Sequence, residues 1–259
     1  MDQTEIKNIE ILEIEKKHED GIIELLCTVF KKSKNEKLIS QFRYLNYENP
    51  NQDYKPLGIV AVHNNRIVGY RGFITLPFLV GDKSIKILML ISGAIYPEFR
   101  GLGLFIKMHE MAYSIYDNNY DYFLNTSANQ KSGPSYIKQK WTILGDKEYL
   151  FRLNLPFPLF KKQLFNIEVS SSISPQEIIE INQNSIFKEE FKVNLDLKSL
   201  DNVNWIFGKE EYQFAVYKKN LKAIAYCCFT IKDKNCYLIH FDMVNKYWHF
   251  SFIKYSTNS

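Results

Sequence analysis

The chain has 259 residues, 46% hydrophobic and 24% charged, and its 33 Lys and Arg against 29 Asp and Glu leave a formal net charge of +4. These are the proportions of a globular protein long enough to bury a sizeable core, as one large domain or as one domain and part of a second. The basic residues are scattered as pairs such as Lys161-Lys162 and Lys218-Lys219, which argues against a nucleic-acid surface.

Met1 to Glu5 lacks the basic and apolar regions of a secretory signal, so a cytoplasmic location is expected. Asp20 to Phe30 carries Ile22, Ile23, Leu25, Leu26, Val29 and Phe30 at helical spacing and predicts an amphipathic helix. Gly58 to Val62 and Ile67 to Phe73 flank His63-Asn64-Asn65-Arg66, a turn in which asparagine tolerates positive φ, and predict a β-hairpin. Ser84 to Tyr96 is nearly continuously apolar from Ile85 to Ile91 and reads as a buried strand. Its apolar part, Ile87 to Tyr96, is about half of the roughly 20 residues a membrane-crossing helix needs, so no membrane contact is expected. Gly93 interrupts the strand and signals a bulge or a close backbone approach.

Pro97 to Gly103 leads into a helical stripe of Leu104, Phe105, Met108, Met111, Ala112 and Ile115, and Tyr120 to Leu124 then reads as a strand. Strand, glycine turn, helix and strand make a parallel βαβ crossover. Ser132 and Pro134 open another helix ending near Trp141, and Tyr149 to Leu153 reads as a closing strand. Leu155 to Pro158 and Ser170 to Ser172 look like connector. Ser174-Pro175-Gln176-Glu177 is a capping box with proline at N1 and predicts a helix through about Phe187. Phe214 to Tyr217, Lys218-Lys219-Asn220 and Ala223 to Tyr226 repeat the first hairpin's strand-turn-strand order. Cys27, Cys227, Cys228 and Cys236 show no C-x-x-C spacing and read as reduced core thiols.

A glycine turn between a buried strand and a helix points successive backbone N–H groups into one concavity at the positive end of the helix dipole, and phosphate is its natural ligand. The third glycine of a dinucleotide fingerprint is replaced by Ile106, and the P-loop pattern is absent. By itself Arg100-Gly101-Leu102-Gly103 is equally an ordinary helix-opening turn. Its context is more specific. Tyr96 to Phe105 resembles the pyrophosphate-binding motif of the GNAT acyl-CoA N-acyltransferase superfamily, Arg/Gln-x-x-Gly-x-Gly/Ala, with Arg100 and Gly103 in place and Phe105 where the family usually has a small residue. Downstream, Asn129, Tyr136, Lys138 and Trp141 fall at the spacings of the family's Asn-x-x-Ala…Tyr-x-Lys-x-Gly-Phe, with Ser132 for alanine and Lys140 for glycine. The match covers roughly residues 10 to 154, and the remainder resembles the partial second half of double-GNAT chains.

The resemblance implies an α/β (α+β) fold: a mixed, mostly antiparallel sheet with a central parallel βαβ crossover, plus a smaller C-terminal β-rich half. The division expected is an N-acetyltransferase domain over 1–155, a connector with a helix over 156–200 and a partial second GNAT-like segment over 201–259. It implies acetyl-CoA as cosubstrate, with the backbone N–H groups of Arg100, Gly101, Leu102, Gly103, Leu104 and Phe105 on its pyrophosphate and the main chain of Ile95 and Tyr96 beside the pantetheine arm. Asn129 would bond the pantetheine or else close an Asx turn. Tyr136 is the expected general acid, since a phenol with reference pKa near 10 is protonated at neutral pH and can donate to a departing thiolate; the other reading is a core tyrosine.

The acceptor implied is a primary amine of a small molecule, with a nucleotide-linked amino sugar, a polyamine and an antibiotic all open, and a homodimer is open as the assembly. No cluster has metal spacing, so no metal is expected. Leu88 to Tyr96 holds no carboxylate to act as base, which leaves a water chain, Asp121 or His63. Arg43, Arg71 and His109 read as solvated side chains. A catalytically silent GNAT-like module that binds acyl-CoA or a protein is the alternative to an enzyme.

Overall fold

A computed structural model describes residues 8–53, 55–81, 83–128, 130, 132–143, 167–170, 173–185, 193–209, 211–219, 221–232 and 235–244. The chain opens with β1 (Ile9–Glu13), α1 (Glu19–Phe30) and α2 (Glu36–Tyr47). The apolar stripe of α1 buries Ile22, Ile23, Leu25 and Leu26, as its spacing predicts. The sequence reading has no counterpart for α2; Asn35 caps it by accepting from the Leu38 N–H at 3.0 Å.

The expected hairpin forms from β2 (Leu57–His63) and β3 (Arg66–Val80), turning on Asn64 and Asn65 at φ 48° and 61°. β3 runs 15 residues, well beyond the predicted Phe73, and returns as β4 (Lys83–Ile95). Then follow α3 (Leu104–Tyr116), β5 (Tyr122–Asn125) and α4 (Gly133–Lys138). β5 pairs parallel with β4 while the other ladders are antiparallel, so the crossover and the mixed sheet are as expected. The strand order is β1-β2-β3-β4-β5.

The rest of the described chain adds β6 (Ile167–Ser170), α5 (Pro175–Gln183), β7 (Val193–Leu195), α6 (Leu200–Phe207), β8 (Gln213–Lys219), β9 (Lys222–Lys232) and β10 (Asn235–Met243). α5 begins on the predicted capping box, Ser174 with Glu177, and ends at Gln183, four residues short of the predicted end. A second, antiparallel sheet has the order β10-β9-β8-β6. The segment expected as connector thus supplies one helix and a strand to each sheet, since β7 pairs with β3 at Phe78–Val80. Each sheet has its own core, around Ile22, Tyr70 and Leu88 in the first and Ile178, Phe207 and Tyr226 in the second. The closing strand expected at Tyr149 to Leu153 lies outside the described residues.

Candidate functional site

The site grows from two irregularities of β4. Arg71 stands opposite Gly93 and Phe73 opposite Leu90, so β4 spends Ile91 and Ser92 where β3 spends Gly72 alone: a β-bulge, just ahead of the glycine that predicts one. The parallel ladder to β5 ends at Leu90 and Asn125. From Ile91 onward one edge of β4 therefore has no strand partner among the described residues.

After β4, Pro97–Phe99 makes one 3-10 turn and buries Phe99. Arg100 is extended, Gly101 and Gly103 take φ 82° and 72°, and α3 begins at Leu104. Both glycines are in the left-handed region that other residues avoid. The backbone N–H groups from Gly101 to Phe105 make no hydrogen bond within the described residues, whereas that of Arg100, also expected on the pyrophosphate, is taken up by the Pro97 carbonyl at 3.2 Å. The Arg100 side chain folds back, its Nε donating to the Ile95 carbonyl at 3.1 Å. The Tyr96 main chain is engaged in structure: its N–H donates to Val68 O at 3.1 Å and its carbonyl accepts from the Phe99 N–H at 2.9 Å.

On the other side of the bulge lies a cavity of about 470 Å³, reached by α1 and α2 through Leu26 and Phe42, by Tyr70 and Arg71, by Ile91 to Gly93, and by Phe105 and Tyr136. Successive residues of β3 point to opposite faces: Tyr70 meets Phe42 of α2, and Arg71 turns toward α3.

Two sequence readings are corrected here. Arg71 and His109 are not solvated; they are 6% and 1% exposed and hydrogen-bonded to each other. Arg71 Nε donates to His109 Nε2 at 3.0 Å, so that nitrogen must carry a lone pair and Nδ1 the proton, which it donates to Gln139 Oε1 at 3.0 Å. Burial, aided by the Arg71 charge, pushes the imidazole down to about 4. Arg71 Nη2 donates to the Tyr136 hydroxyl oxygen. Burial pushes the guanidinium down to about 10, still protonated at neutral pH. A signal for both was in the chain. His109 lies at helical spacing from Phe105, Ala112 and Tyr116, inside the stripe that α3 buries, and Arg71 sits mid-strand opposite a glycine.

Phe105 has a visible role: its ring lies 4.4 Å from the His109 ring, meets Tyr136 edge-on at 5.4 Å and stands 5.1 Å from the Arg71 guanidinium carbon. Trp141 closes the cluster, its indole N–H donating to the Tyr113 hydroxyl at 2.7 Å and its ring 5.0 Å from that of Tyr136. Lys140, standing in for the motif's glycine, takes a left-handed φ of 64°. Asn129 lies outside the described residues. Arg43 is on the surface, paired with Glu19 at 2.7 Å. Neither expected base reaches the cavity: Asp121 Oδ2 accepts from the Lys86 N–H at 2.8 Å, and His63 packs on Phe99 at 5.4 Å. Among the described residues no three His, Cys, Asp or Glu side chains are grouped to hold a metal, and no helix is long and apolar enough to cross a membrane.

A mixed sheet that bulges and parts beside a phosphate-ready glycine turn defines an acyltransferase-type fold. Residues 10–131 match the acetyltransferase (GNAT) domain family. Two solved structures share the wider arrangement. A probable N-acyltransferase from Enterococcus faecalis V583 is 12% identical with a TM-score of 0.66, covering 92% of this chain and 59% of its own. A GCN5-related N-acetyltransferase from Kribbella flavida is 7% identical with a TM-score of 0.57, covering 91% and 58%. At these identities the likeness is one of fold, and the chain spans about three fifths of either protein's length. A sequence search of curated proteins finds no match.

Proposed function

We propose that this protein is an N-acetyltransferase that moves the acetyl group of acetyl-CoA to a primary amine of a small molecule in the cytoplasm. One observation carries the reading: the free N–H groups of the glycine turn and the cavity converge on the same bulge of β4, leaving a seat for phosphate on one side and room for an acceptor on the other. The pyrophosphate would sit on the N–H groups of Gly101 to Phe105, and the pantetheine along the unpaired edge of β4 after Leu90. The thioester carbonyl would then lie near Gly93, with the amine approaching from the cavity.

Attack by the amine nitrogen forms the new C–N bond, and collapse of the tetrahedral intermediate breaks the C–S bond. Tyr136 would protonate the departing sulfur, a role supported by Arg71 donating to a lone pair of the phenol oxygen and leaving the O–H proton to be given elsewhere. Among the described residues lining the cavity there is no carboxylate or histidine, so the amine would enter as free base or lose its proton to water.

The test is thiol release from acetyl-CoA over a panel of primary amines, nucleotide-linked amino sugars and polyamines included. The Tyr136→Phe variant should lose about 10²-fold in kcat, the usual size of a general-acid effect, with coenzyme A affinity retained. Unchanged turnover would remove Tyr136 from the chemistry. Tight coenzyme A binding with no amine consumed would establish the silent-module reading instead, which the lack of a base in the cavity favours.

A further inference from the structure

Arg71 offers more hydrogen bonds than its neighbours take. A guanidinium presents five N–H donors; one meets His109 and one meets Tyr136, and the remaining three have no acceptor among the described residues. Its surroundings also leave its charge uncompensated. His109 is a neutral lone-pair acceptor, Tyr136 is a phenol, and Phe105 offers a ring face. Among the described residues that line the cavity none is Asp or Glu, and a second cation, Lys32, stands there. A cation that is 6% exposed and without a counter-ion is costly to bury. An anion entering the cavity would supply the missing charge and take the free donors. The planar two-donor edge of guanidinium matches the two oxygens of a carboxylate. The walls beyond it mix hydrocarbon, including Leu26, Leu38 and Phe42, with polar side chains such as Gln41 and Asn46, and the glycine turn offers a separate seat for phosphate.

The geometry points to Arg71 as the docking point for a carboxylate on the acceptor, so that the amines this protein takes are amino acids or related amino-carboxylates. The word acceptor rests on the acetyl-transfer reading above; the anion site rests on Arg71 and the cavity. Arg71 lies opposite Gly93 across the β3–β4 ladder, so a carboxylate held there would set the amine beside the bulge where the thioester is proposed to lie.

The experiment uses matched probes: glycine, β-alanine, γ-aminobutyrate, L-lysine, L-glutamate and L-phenylalanine, each beside its carboxamide and its decarboxylated amine, with phosphoethanolamine as a phosphate-bearing control. Acetyl-CoA consumption gives kcat/KM, and calorimetry on the coenzyme A complex gives binding without turnover. At least one carboxylate should exceed its amide by roughly 30-fold or more, the size expected for a buried charge pair. Arg71→Met should bring that ratio near one while coenzyme A affinity, the check on folding, is kept; Arg71→Lys should restore part of it. Equal rates for carboxylates and amides, a ratio that survives Arg71→Met, or a preference for phosphoethanolamine would overturn the proposal. An equal fall for both members of each pair would make Arg71 a positioning group for Tyr136 and likewise overturn it. If no amine turns over, Arg71-dependent carboxylate binding would sustain the anion site and refute acetyl transfer, and absence of such binding would refute both.

Discussion

Adding one methyl group at Gly93 should unseat the Arg71 cluster. A Cβ built there falls on Arg71 Nη1, with Cζ at 3.2 Å and Cδ at 3.5 Å. A flexible side-chain end could ordinarily swing away, but this one is held by Nε on His109, Nη2 on Tyr136 and the Phe105 ring beneath it. Gly93→Ala must therefore either overpack the site, at about 1–3 kcal/mol, or break hydrogen bonds from a charged donor, at about 1.5–3 kcal/mol each. The cheaper route sets a loss of about 2 kcal/mol. Urea unfolding of the wild type, Gly93→Ala, Arg71→Met and the double variant tests the cause. Methionine removes the branched head of the arginine, so the alanine should cost less than about 0.5 kcal/mol in that background, a coupling of about 1.5 kcal/mol that distant sites do not show. Equal costs in both backgrounds would refute the clash, and a neutral Gly93→Ala would refute the rigidity of the cluster.

Gly103→Val places a β-branched residue at φ 72° and a side chain in the open space beside the glycine turn; coenzyme A affinity measured by calorimetry should fall at least about tenfold with the fold retained by circular dichroism, and unchanged affinity would reduce the motif to a turn. His109 gives a pH signature: its folded value, about 4, lies below the unfolded 6.5, so the unfolded chain binds the proton more readily. Its contribution to stability is therefore complete above pH 6.5 and lost as pH falls toward 4, about 3 kcal/mol in all. His240, half-buried against the Phe207 and Tyr226 rings and also pushed down to about 4 by desolvation, adds to the slope. Denaturation between pH 7 and 4 with His109→Gln should show a shallower fall than the wild type, and an identical slope would contradict the burial of a neutral imidazole.

Most of the fold was legible because each element carries a local signal that its packing agrees with. The apolar stripe of α1, the Asn64-Asn65 turn and the Ser174 capping box are local statements, and the structure uses each as read. Two elements were not. In α2 only Phe42 and Asn46 are buried, so its helical stripe is thin and its polar residues mask it. β3 continues past Phe73 and through Pro77, which cannot donate to a ladder, because β4 pairs with it as far as Val80 and the Asp196 N–H donates to the Pro77 carbonyl at 3.0 Å. That support comes from more than a hundred residues downstream, where no local pattern could announce it.

The candidate site divides along the same line. Its phosphate half is a run of consecutive residues, Arg100 to Phe105, whose glycines state their own backbone need. Its acceptor half is assembled from β3, β4, α3 and α4, and the burial of one member decides the character of the next. Arg71 can be buried only because Gly93 leaves space, and His109 can accept from it only as a neutral base. That protonation state in turn leaves the guanidinium without a counter-charge. Each of these residues alone has an ordinary surface reading. A buried cation lining a cavity with no counter-ion among the described residues is a property of the assembled set, which is why chemistry that would select an acceptor is the part least written in the linear sequence.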